Sequence, residues 1–77
     1  ENYLTEVIVK INKDIYEVNK NVFTHKIIED QILDNVLKCK ILTNDNLGLV
    51  KFFLLCDTKI EILKINNSNE IQSLLDE

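Results

Sequence analysis

The side chains that could do chemistry are few: His25, Cys39 and Cys56, Ser68 and Ser73, and the carboxylates of Asp30 and Asp34. Nucleophilic catalysis needs a hydroxyl or thiol beside a base that a third group orients. His25 sits between Thr24 and Lys26, with no cysteine or acid at a metal-ligand spacing, and reads as a surface or capping histidine. Ser68 belongs to a turn and Ser73 to a terminal helix, far in sequence from any motif. Cys39 and Cys56 each lie in an apolar run, where a thiol behaves as a small hydrophobe. Buried free thiols are the expectation, ahead of a disulfide. Asp30 and Asp34, one helical turn apart, read as a solvated face ahead of an acid–base pair. With one glycine in the chain there is no glycine-rich phosphate cradle. The expectation is therefore no catalytic residue, no metal, no cofactor, and a chain that is not an enzyme.

Length and composition bound the rest. At 77 residues, 45% hydrophobic and 29% charged, the chain has room for one domain with a modest core. No apolar run approaches the roughly 18 residues of a membrane span, and the first residues lack the basic start and apolar centre of a signal peptide. No membrane partner is expected, and a reducing cytoplasm or nucleus is the expected home of two free thiols. The closing Leu74-Leu75-Asp76-Glu77 stops in mid-helix, as in a piece of a longer protein. The net charge is -4, every cation apart from His25 is a lysine, and the lysines are spread along the sequence among acids. Nucleic-acid recognition favours a concentrated basic face and the bidentate fork of Arg. No specific nucleic-acid partner is expected. Asn66-Asn67-Ser68 matches a glycosylation acceptor, a pattern common by chance.

The elements follow from periodicity. Val7, Val9 and Ile11 alternate, and Ile15, Tyr16 and Val18 follow Asn12-Lys13-Asp14, which has turn chemistry; residues 5–18 thus predict a β-hairpin. From 21 to 38 the spacing turns helical, with Ile28, Ile32, Leu33, Val36 and Leu37 three and four apart. Residues 37–42 alternate again and predict a strand. Asn44-Asp45-Asn46 is a loop and a helix start. Leu47, Leu49, Val50, Phe53 and Leu54 then predict a buried helix over 46–55, with a buried two-sided strand as the alternative. Residues 60–65 predict a short edge strand and 70–77 a last helix with Ile71, Leu74 and Leu75 inward. The predicted core is Leu33, Val36, Leu49, Val50, Phe53 and Leu54.

In this order the chain resembles the BTB/POZ fold family, which includes the elongin C and Skp-type adaptors of cullin ubiquitin ligases. The resemblance rests first on Glu6-Val7-Ile8-Val9-Lys10-Ile11 through Tyr16, Asn19, Lys20 and Val22-Phe23. These residues follow the family's opening acid, alternating aliphatics, tight turn, aromatic and His-Lys-x-Val-Leu run. A second block, residues 37–42, 47–58, 60–62 and 69–75, resembles the family's middle strand, long helix, short strand and closing helix. The departures are a shortened stretch between Phe23 and Cys39, Asn19 in place of the usual His, and Leu55-Cys56-Asp57 where the family has Tyr-Thr-Gly.

The resulting expectation is an α+β fold: a small BTB/POZ-like domain over residues 1–77, an N-terminal β-hairpin followed by helices and short strands. The resemblance implies a protein–protein interaction module, homodimerising or acting as an adaptor in a larger assembly such as a cullin ligase. Val22, Phe23, Ile27 and Ile28 are the expected partner-facing residues, because they exceed what a short helix needs to bury. A winged-helix domain, with helices over 24–38 and 46–55 and serving as a protein dock or nucleic-acid binder, is the alternative. A ubiquitin-like domain is a third.

Overall fold

The computed structural model describes residues 3–75, so the expectation that Asp76 and Glu77 continue the last helix lies outside it. The elements are β1 (Thr5–Asn12), α1 (Lys13–Asn19), β2 (Lys26–Leu33), β3 (Val36–Thr43), α2 (Asn46–Cys56), β4 (Ile60–Ile65) and α3 (Ser68–Leu75). Four strands form one antiparallel sheet in the order β2-β3-β1-β4. Since β3 lies between β1 and β2, and β1 between β3 and β4, the chain makes two interlocked split β-α-β units, β1-α1-β2 and β3-α2-β4. The architecture is α+β, one sheet with helices on one face.

The first strand alternates as expected. Thr5, Val7, Val9 and Ile11 are buried, and Leu37, Cys39, Ile41 and Thr43 answer them from β3. Beneath lie Leu49, Val50, Phe52, Phe53 and Cys56 of α2, Tyr16 of α1, Phe23 and Ile71 of α3. Three aromatic rings meet here: Phe52 stands 6.0 Å from Tyr16, edge to face, and 5.2 Å from Phe23. Such pairs add about 0.5–1.5 kcal/mol beyond the area they bury.

The second arm of the expected hairpin is a helix. Asn12 does not turn the chain; its side-chain oxygen accepts the Ile15 N–H at 3.0 Å and caps α1. Asn and Asp serve turns and helix starts by the same hydrogen bond, so the residues after them decide. Tyr16 is buried, Ile15 packs against the core, and Val18 is exposed.

The expected helix over 21–38 is corrected to a β-hairpin. Its apolar spacing comes from two irregularities in the β2–β3 pair. The register shifts between Glu29 and Gln31, leaving Asp30 without an opposite residue, and the strands join through Asp34 and Asn35, with φ 51° and 64°. Positive φ at both central residues is the two-residue hairpin turn that twists with its strands. A bulge adds one residue, so inward Ile27 and inward Ile32 stand five apart. Leu33, Val36 and Leu54, expected in the core, are exposed, while Leu49, Val50 and Phe53 are buried. The first helix of the winged-helix alternative is likewise absent, its residues forming strands.

From β3 onward the expected elements form. Asp45 caps α2 by accepting the Gly48 N–H at 2.9 Å. At Asp57, φ is 53° and the backbone N–H bonds the Phe53 carbonyl, which ends the helix. Gly48 has a packing reason beyond mere tolerance: a Cβ there would fall upon the Phe23 Cβ and the Asp45 carboxylate. Phe23 can cross α2 only because this turn has no side chain.

One end of the sheet is tied by polar side chains. Asn66 Oδ1 accepts the Glu6 N–H at 2.8 Å, Asn67 Nδ2 donates to the Leu4 carbonyl at 2.7 Å, and Asn44 Oδ1 accepts the Leu4 N–H at 2.7 Å. Buried Thr5 donates to Asn46. These bonds fix β1 and the start of α3 to the loop before α2.

Candidate functional site on the uncovered sheet face

All three helices pack on one side of the sheet. Strand alternation sends every other residue to the opposite face, where no element of the described chain lies. Registers assign to that face Glu6, Ile8, Lys10 and Asn12 of β1, and Val36, Lys38, Lys40 and Leu42 of β3. Lys26, Ile28, Gln31 and Leu33 of β2 join them on one edge, with Glu61 and Lys64 of β4 on the other. Five of the nine lysines therefore converge on one surface of an acidic chain.

Charges of both signs lie among them. Lys10 and Lys38 are directly opposite across β1 and β3. Glu61 stands opposite Lys10 on the other side, and Lys40 Nζ lies 3.9 Å from Glu6 Oε1. Aliphatic side chains run between the charges: Ile28 is 47% exposed, Leu33 61% and Val36 39%. No aromatic residue occurs in any strand.

At the hairpin end the face deepens into an open groove of about 530 Å³, crossing from Leu33, Asp34 and Val36 past Lys38 and Lys10 to Lys59, Ile60 and Glu61. A smaller hollow of about 100 Å³ lies at the other end, against Ile8, Lys40 and Lys64. A third, of about 320 Å³, is on another part of the molecule, beside Phe53, Leu54, Ile62 and Leu75.

The four expected partner-facing residues are not brought together. Phe23 is buried under α2, which corrects its reading as a contact residue, and Ile27 packs half-buried against the core. Strand alternation sends Ile28 the other way, onto the uncovered face, while Val22 lies in the 3-10 turn Lys20–Val22 after α1.

The residues of chemical type have structural partners. His25 Nδ1 lies 3.0 Å from the Phe23 carbonyl, so it carries the proton of that bond, and Nε2 then accepts from the Tyr16 hydroxyl at 3.1 Å. Its ring stacks on Phe23 at 4.3 Å. Cys39 and Cys56 are buried free thiols. Burial, with Glu29 adding to it at Cys39, pushes both up to about 11, so they stay protonated and weakly nucleophilic at neutral pH. Burial also raises Tyr16 to about 12. Among the described residues no three His, Cys, Asp or Glu side chains cluster as metal ligands, and no helix is long and apolar enough to cross a membrane. Asp34 sits in the hairpin turn and Asp30 at the bulge, which removes the helical spacing that had paired them.

No known protein family, curated protein or solved structure matches the chain.

What sequence reading missed was the lysine face. Its signal was present in Lys38 and Lys40 alternating with Leu37, Cys39 and Ile41, and in Lys10 two residues after Ile8. Only the strand order β2-β3-β1-β4 puts those positions side by side.

Proposed function

We propose that the chain is a protein-interaction domain that binds through the uncovered face of its sheet. The observation carrying this reading is the mixture on that face, where Ile28, Leu33 and Val36 stand exposed among lysines beside a groove. Exposed apolar side chains rimmed by charge are the usual composition of a protein contact. The buried, protonated thiols and the hydrogen-bonded His25 offer no activated nucleophile, which favours binding over catalysis.

The narrower BTB/POZ-like reading, with homodimerisation or cullin-adaptor service, leans on the order β3, α2, β4, α3 alone. The N-terminal hairpin it invoked is replaced by α1. The broader reading does not depend on it.

The test compares two double variants. Ile28→Asp with Val36→Asp alters the uncovered face, and Leu47→Asp with Leu55→Asp alters the exposed side of α2. Solution mass and partner capture should be lost in the first and kept in the second, both retaining the parental thermal transition. Loss in the second alone would move the contact to α2.

A further inference from the structure

We propose that β4 is a site of self-association, along which two copies pair antiparallel and join their four-stranded sheets edge to edge. β4 ends the sheet on one side, no described element pairs with its outer edge, and residues 61–64 are exposed. An exposed edge strand offers unpaired N–H and C=O groups to another chain. This contact is separate from the uncovered face.

The side-chain order of β4 selects a second copy as the occupant. Ile60, Ile62 and Ile65 stand opposite Ile11, Val9 and Val7 on the helix side, and Glu61 and Lys64 opposite Lys10 and Ile8 on the uncovered side. The bulge leaves Leu63 without an opposite residue. Residues three apart in a regular strand lie on opposite faces, but the bulge puts Glu61 and Lys64 on the same one. With a two-fold axis between Ile62 and Leu63, Glu61 therefore meets Lys64 of the second copy, and Lys64 meets its Glu61. Ile60 falls opposite Ile65 and Ile62 opposite Leu63, apolar against apolar. Glu61 keeps Lys10 on its inner side and gains a lysine on its outer side. A bulge commonly guards an edge by twisting it away; here it makes the charges of the strand complementary to themselves. Along the same edge Leu54, Ile62 and Leu75 stand exposed around the hollow of about 320 Å³, apolar surface for the second copy to cover.

The opposite edge is a control within the molecule. β2 also carries a bulge, at Asp30, and the same construction there sets Glu29 opposite Asp30 of the second copy, acid against acid at both crossings. The charges thus favour pairing at β4 and oppose it at β2, and the isologous pair closes at two copies.

Sedimentation equilibrium of the intact chain should show a monomer–dimer equilibrium. A chain that stays monomeric up to about 1 mM, or grows beyond two copies, overturns the proposal. Glu61→Lys and Lys64→Glu each set like charges at both crossings and should each weaken the dimer at least about tenfold. Mixed in equal amounts, the two variants restore opposite charges at both crossings, so the mixture should regain the parental dimer, which a damaged fold would not do. Single variants that dimerise as the parent does, or a mixture that stays monomeric, overturn the proposal. Should Glu61→Lys lose its thermal transition, Lys64→Glu decides by itself, since it leaves Glu61 beside Lys10: a weaker dimer upholds the pairing and an equal one overturns it. Ile28→Asp with Val36→Asp, which removes a partner's mass from the uncovered face, should leave this dimer intact. A dimer lost in that variant and kept in Lys64→Glu belongs to the uncovered face and overturns the β4 contact alone.

Discussion

The two faces of the sheet are made by the same strands and obey opposite rules. On the helix side Val7, Val9, Ile11, Leu37, Cys39 and Ile41 are closed to solvent and packed on α2. One residue further along each strand, Ile8, Lys10, Lys38 and Lys40 face away from the helices, with charge set beside aliphatic surface and lysine set opposite lysine. The first face is organised for cohesion, the second mixes charges of both signs with exposed aliphatic side chains.

The contrast breaks first in the core. Phe52 is wholly buried and touches Tyr16 and Phe23, so Phe52→Ala should lose about 3–5 kcal/mol, read by urea unfolding. A loss under about 1 kcal/mol would mean that the helix layer is not the cohesive face.

Alkali should act next, and on the same face. Cys39 and Cys56 titrate near 11 in the folded chain against an ordinary 9.0. A raised acid favours the folded state while protonated, so this contribution is complete below pH 9 and is lost as pH rises towards 11. The unfolding midpoint should fall across that window, and Cys39→Ala should flatten the fall. An equally steep fall in Cys39→Ala would assign the effect elsewhere.

Gly48→Ala tests the crossing of Phe23 over α2. Alanine is the better helix former by about 1 kcal/mol, yet the added methyl meets the Phe23 Cβ and the Asp45 carboxylate. Thermal melting should show a net loss of about 1–3 kcal/mol. A stabilised variant would show that the crossing is loose. Asp45→Ala, which removes the cap on Gly48 N–H, should cost about 1 kcal/mol in the same assay.

The smallest expected effect is the most pointed. Lys10→Gln removes one charge between Lys38 and Glu61 and should change stability by less than about 1 kcal/mol. A clear destabilisation would show that Lys10 holds the fold together, and the division of labour between the faces would fail at that position.

The second half of the chain was legible in the sequence because its signals are local. Asp45 before an apolar run, alternation across Leu37, Cys39 and Ile41, and Asn66 to Asn69 before Ile71 each specify an element within a few residues. The first half was not, since its signals are ambiguous locally. Asn12 can turn a hairpin or cap a helix, and a bulge at Asp30 gives two strands the apolar spacing of a helix. Asp34-Asn35 was the one local cue to the hairpin, a pair suited to positive φ but lacking the glycine that makes the signal strong. Sequence alone determined the α+β class, the buried thiols, and the burial of Leu49, Val50 and Phe53, which follow from hydrophobicity and short-range periodicity. The tertiary structure alone decided that Phe23 is core and that five lysines share a face. Both depend on which strands become neighbours, and pairings between residues as distant as Lys10 and Lys38 leave no mark in any local window.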